Sequence, residues 1–118
     1  VVPSHTFSGV GYNSGTTTAI FELPAIDASG AIIASTFDYI GIYASSTSVY
    51  RVIDAAVGSS RTSGTKILAD SLSALTFTYD NASFPSVTSV IVNATTSAVV
   101  KGQTTHTHLR SHTYLRNL

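Results

Sequence analysis

The stretch that most constrains this chain is Leu75-Thr76-Phe77-Thr78-Tyr79. Leu75, Phe77 and Tyr79 fall on one face of an extended segment, and Thr76 and Thr78 on the other. A period of two over that length sets one face against a core and the other toward water or a second layer. Ile67-Leu68-Ala69 is a short apolar segment before it, followed by a small polar corner at Asp70-Ser71. Asp80-Asn81 closes it with residues that favour turns. As the most apolar well-patterned strand of the chain, it is expected in the centre of a sheet.

The rest of the chain repeats this signal in weaker form. Residues 1–16 hold Pro3 and several glycines, which disfavour a long helix and suggest an extended, adaptable lead-in. Thr17–Leu23 is expected as the first strand, with Ala19, Phe21 and Leu23 on one face and Pro24 blocking its continuation. Asp27-Ala28-Ser29-Gly30 has turn composition. Phe37–Tyr43 carries bulk on both faces, the pattern of a strand covered on both sides. Ser45-Ser46-Thr47 fits a hairpin loop, after which Val49–Ile53 returns antiparallel.

Asp54–Thr65 and Ser83–Ser86 have no periodic apolar signal and are expected as loops. Val87–Thr95 is rich in β-branched residues, Val99–Gln103 reads as a turn or short hairpin arm, and Thr104–Leu118 reads as a closing strand. No segment shows a useful helical period. The expectation is one mainly β domain over residues 1–118, an antiparallel sheet of about six strands. At 118 residues it can bury roughly two thirds of its unfolded surface, enough for a core without metal or disulfide support.

Charged residues make up only 10% of the chain, well under the usual ~25%, with Lys+Arg 6 against Asp+Glu 6. Ser and Thr fill the surface instead, which suits dense packing against copies of itself or attached sugars. No basic patch points to nucleic acid, and no apolar run approaches the ~20 residues that span a bilayer. Cysteine is absent, which removes disulfides, thiolate catalysis and Cys-ligated zinc together.

Four pieces in a fixed order carry a resemblance. Val49-Tyr50-Arg51-Val52 sits on a hairpin, and Leu68-Ala69-Asp70-Ser71-Leu72-Ser73-Ala74-Leu75-Thr76-Phe77-Thr78-Tyr79 follows a variable loop. Val87–Val92 comes next, and Tyr114-Leu115-Arg116-Asn117-Leu118 ends the chain. This succession resembles the globular heads of type IV pilin-like proteins, the pilins of type IV pili and the pseudopilins of type II secretion systems. The resemblance implies a β-rich head that coats a homo-oligomeric filament at the cell surface or in the periplasm and touches neighbouring heads laterally. It assigns structural roles to Tyr50, Arg51, Leu68, Asp70, Leu75, Phe77, Tyr79, Leu115, Arg116 and Asn117. It departs from the family pattern in lacking the long N-terminal helix on which such heads hang. Two expectations follow: the chain is a soluble piece cut from a longer pilin, or it docks on a short helical chain, as in split pilins. Either way the head needs an apolar strip for the helix, and Val1, Val2, Phe7, Val10 and Tyr12 are the candidates to line it.

Other chemistries are less well supported by the residues. His106, His108 and His112 share a strand face and could hold zinc with a third ligand, but Arg110 and Arg116 on that face repel a cation. His5 is isolated. The six carboxylates form no local catalytic pair, and Asp27 and Asp80 lie in segments that read as turns rather than calcium loops. Asp70 is expected to bond the backbone at its corner. Asn81-Ala82-Ser83 and Asn93-Ala94-Thr95 match the N-glycosylation pattern. No cofactor site or catalytic constellation is apparent, so an enzyme is not expected. A carbohydrate-binding or adhesin-like β-sandwich is the alternative, with Tyr12, Tyr39, Tyr43 and Tyr50 as a stacking platform.

Overall fold

A computed structural model describes residues 1–115 of the chain. Arg116 and Asn117, expected to matter structurally, lie outside the described residues. The described chain is mainly antiparallel β, with nine strands rather than about six. They are β1 (Ser4–Phe7), β2 (Val10–Asn13), β3 (Thr18–Ile26), β4 (Ile32–Ser45), β5 (Ser48–Asp54), β6 (Gly64–Ala69), β7 (Leu72–Tyr79), β8 (Ser89–Val100) and β9 (Gln103–Tyr114). Strands β1 and β2 form a hairpin, β3 to β6 a four-stranded sheet in chain order, and β7 to β9 a three-stranded sheet in chain order. Among the described residues no helix is long and apolar enough to cross a membrane.

Tight turns set this meandering order. Ser8 and Gly9 both take positive φ between Phe7 and Val10, as do Lys101 and Gly102 between Val100 and Gln103. Two consecutive positive φ values match the right-handed twist of the flanking strands. Ser46 at φ 55° turns β4 into β5. At Asp27–Gly30 the turn forms as its composition suggests: Asp27 Oδ1 accepts from the Ser29 and Ala31 N–H groups at 2.9 and 3.0 Å.

The structure differs from the sequence expectation in several places, among them Gly64-Thr65, which begin β6 rather than ending a loop, and Val99-Val100, which continue β8. Residues 1–16 are not a loose lead-in, because most of them build the β1–β2 hairpin, which packs on the outer face of the four-stranded sheet. Pro24 does not end β3. That strand lies at the sheet edge, where a missing N–H is tolerated, and a shift of register carries it on to Ile26. Phe84–Ser86 is a turn of 3₁₀ helix. And β7 is an edge strand rather than a central one; the twelve-residue β8 takes the centre. Alternation reports that a face is buried, which does not depend on having ladder partners on both sides.

The four-stranded sheet is covered on both faces around its middle, as the bulk on both sides of β4 suggests. On the outer side, Phe7 from the hairpin packs with Ile20 and Val52, and Gly41 lies beneath it. On the inner side, Ala19 and Val49 join Leu72, Leu75, Phe77, Val87 and Val90 from the second sheet and its connections.

Candidate interaction surface

The two larger sheets meet at a corner. Strand β7 runs across the end of the four-stranded sheet. The Leu72 N–H donates to the Thr47 carbonyl in the β4–β5 turn at 2.8 Å, and the Phe77 N–H donates to the Thr16 carbonyl just ahead of β3 at 2.7 Å. Farther along β7, the Tyr79 hydroxyl donates to the carbonyls of Gly15 and Thr18 at 2.9 and 3.0 Å. A sheet laid across one end of another covers that end; at the far end of the same inner face the loop after β5 closes over Asp38 through Ala56, Ser59 and Arg61.

Burial falls away from this corner along both walls. Leu75, Ala94 and Leu109 lie side by side on the inner face of the three-stranded sheet, in paired register. Leu75 is 7% exposed, Ala94 is half-buried and Leu109 is 61% exposed. On the other wall Val49 is buried, and Arg51 and Ile53, the next residues on that face of β5, are half-buried. Ile42 pairs with Arg51, and Phe21 and Ile42 flank the same core as Val92 and Ala94. The result is an apolar elbow, closed at the corner and open toward β9.

Two cations, Arg51 and Lys66, stand on the wall of this elbow. Arg51 Nε is buried and has no hydrogen-bond partner among the described residues. Lys66 is its direct partner in the β5–β6 register, so the two cations share a face. Among the described residues the side-chain carboxylates are all engaged elsewhere. Glu22 accepts from the Tyr39 hydroxyl, Asp54 bonds His5, and Asp70 accepts from the Ser48 hydroxyl. Asp27 and Asp80 hold their own turns, Asp80 through the N–H and hydroxyl of Thr88. Asp38 is fully buried with Arg61.

The residues proposed from the sequence to receive a helix do not form one strip. Phe7 is 2% exposed and spent inside the protein, packed with Ile20 and Val52. Tyr12 lies in a row with Tyr43 and Tyr50, tilted 33° to Tyr43, which stacks on Tyr50, with centroids 4.9 and 5.4 Å apart. Val2 lies on the outer side with them, and Val10 is exposed near the tip of the hairpin. Val1 alone packs against the core at the corner, as does Leu115. The sequence reading missed Phe21, Ile42, Arg51 and Leu109 as parts of one surface. They come from four strands, and only the corner between the sheets brings them together.

Of the residues matched to the family pattern, Leu75 and Phe77 are buried in the corner, and Tyr79 anchors it. Leu68 is half exposed on β6. Asp70 bonds a side chain, Ser48, rather than the backbone at its corner, because the β4–β5 turn lies beside it. The tyrosine row offers little to a sugar, since the ring faces are turned on one another; Tyr39 lies under His5, 3.7 Å away. His106, His108 and His112 are all exposed on β9, and among the described residues no three potential ligands gather for a metal.

An open groove of about 550 Å³ runs beside the outer edge of β7, between Gly15-Thr16 and Asp80-Asn81. Its walls are mostly apolar, with Phe77, Tyr79 and Phe84 among them, and the Tyr79 hydroxyl is already spent on the Gly15 and Thr18 carbonyls. The chain matches no protein-family model, no curated protein and no solved structure.

Proposed function

We propose that this chain is the globular head of a type IV pilin-like filament subunit, acting by packing rather than by catalysis. The observation that carries the reading is the elbow. Two sheets present adjoining apolar walls, and a sheet face left bare needs another element to cover it. A helix lying along the elbow would bury Ile42, Phe21 and Leu109 together. The order of the Tyr50-Arg51, Leu68–Tyr79, Val87–Val92 and Tyr114-Leu115 pieces supports the same reading. In this reading the helix comes from a longer form of the same chain or from a short partner chain. The assembled subunits form a pilus or pseudopilus, exposed at the cell surface or in the periplasm.

The test is to isolate filaments from the source cells and determine their composition. The reading expects this chain as a regular component, in equal number with an apolar helical segment. Recovery only as a soluble monomer, with no filament fraction containing it, overturns the reading.

A further inference from the structure

The elbow is not electrostatically ready for a wholly apolar occupant. Arg51 and Lys66 lie opposite each other across the β5–β6 ladder, and like charges in that relation repel. The buried Nε of Arg51 has no acceptor among the described residues, and a buried donor left without one is costly. None of the six carboxylate side chains bonds it; each is held by another partner instead. A planar guanidinium presents a fork of donors that fits a carboxylate better than any neutral acceptor.

We propose that the helix seated in the elbow carries a carboxylate within its apolar stripe, and that Arg51 receives it, with Lys66 adding to the attraction. The helix itself rests on the filament reading above; the acid rests on charge complementarity. Apolar side chains on either side of the acid pack on Ile42 and Leu109. The carboxylate completes the bonding of Arg51 and separates the two cations. In this arrangement Arg51 sets the register of the helix along the elbow, because a slip of one turn carries the acid away from its only acceptor-seeking partner.

The test uses the 118-residue chain and three fluorescein-labelled synthetic helical peptides. Each has the same leucine stripe on an alanine- and glutamine-rich helix, and the central stripe position is Glu, Gln or Lys. Binding is followed by fluorescence anisotropy. The Glu peptide is expected to bind roughly tenfold or more tighter than the Gln peptide, with the Lys peptide weakest. Arg51→Gln is expected to erase the preference for Glu. Lys66→Gln, at an exposed position where folding is not at issue, is expected to narrow it.

Equal binding of the Glu and Gln peptides overturns the assignment of the acid while leaving a helix-receiving elbow intact. A Glu preference unchanged in both variants also overturns it. Failure of all three peptides to bind the unaltered chain overturns the assignment and the filament reading beneath it.

Discussion

Arg61 donates to Asp38 at 2.7 Å, joining the loop after β5 to a carboxylate in β4 that has no exposed surface. The same carboxylate accepts from the Ser59 hydroxyl and the Ala56 N–H, each at 2.7 Å. Arg61 also donates to the Pro24 carbonyl at 2.9 Å. One buried charge therefore organises the whole Asp54–Thr65 connection. Removing it strands the guanidinium and two other donors. Asp38→Ala is expected to cost about 3–5 kcal/mol, read from urea unfolding. A loss below about 1 kcal/mol would show that the loop is held by something else.

Acid should act on the same group. Burial pushes the Asp38 carboxyl up, but bonds from Ser59, Ala56 and Arg61 outweigh it and leave the group below its ordinary value. A carboxyl lowered in the folded state stabilises it at pH above the ordinary value of 3.8, and that contribution is lost as pH falls through the lower folded value. Unfolding midpoints followed from pH 6 down to 2 should fall in the unaltered chain and fall less steeply in Asp38→Asn.

Alkali should act on Tyr79. Burial pushes its phenol up to about 12, against an opposing bond with the Gly15 carbonyl. The unfolded chain ionises near 10 and the folded one near 12, so stability present below pH 10 is lost between those values. Absorbance at 295 nm should show this tyrosine titrating after the exposed ones. Tyr79→Phe should cost about 1–2 kcal/mol at neutral pH, by loss of its two carbonyl bonds, and should flatten the alkaline decline.

Gly41 lies beneath Phe7 of the hairpin. A Cβ there would lie 3.0 Å from Val52 Cγ1 and 3.3 Å from Phe7 Cε2. Gly41→Ala must displace Val52, Phe7 or both, and a loss of about 1–3 kcal/mol is expected. Limited proteolysis should show earlier cleavage within residues 1–16. An unchanged cleavage pattern would mean that the hairpin adapts without lifting.

Leu109→Asp separates folding from assembly. Its side chain is already exposed in the single chain, so stability should stay within about 0.5 kcal/mol of the original. In the proposed filament it faces a helix, and recovery of the chain in filaments should fall at least tenfold. Undiminished recovery would place the helix elsewhere.

Face burial was legible in the sequence, and ladder position was not. Leu75, Phe77 and Tyr79 read correctly as a core-facing set, because side-chain alternation is a local property of the backbone. That β7 sits at an edge depends on β8 being long enough to pair on both sides, a fact about a distant segment. The two-faced bulk of Phe37–Tyr43 likewise showed β4 to be covered twice, without showing what covers it. Its outer cover, the β1–β2 hairpin, was hidden by the glycines of residues 1–16, although Ser8-Gly9 between Phe7 and Val10 was a usable turn signal.

The polar anchors were the least legible. Asp38 meets Arg61 from a loop with no periodicity, and His5 meets Asp54 across 49 positions of sequence. Such pairs leave no local pattern. Arg51 could be singled out only by its place in the Tyr50-Arg51 motif; that its neighbours are Ile42 and Lys66 depends on two registers that the sequence did not specify.

The corner between the sheets also bears on how the chain reaches its native state. Strands β7, β8 and β9 are consecutive, and a two-residue turn at Lys101-Gly102 joins the longest pair, so most of that sheet can zip from nearby contacts. Closing the corner instead requires Tyr79 to find Gly15 and Thr18, more than sixty residues earlier. The docking of two preformed halves should therefore govern the refolding rate, and substitutions at Tyr79 should slow refolding more than substitutions within the β8–β9 arm.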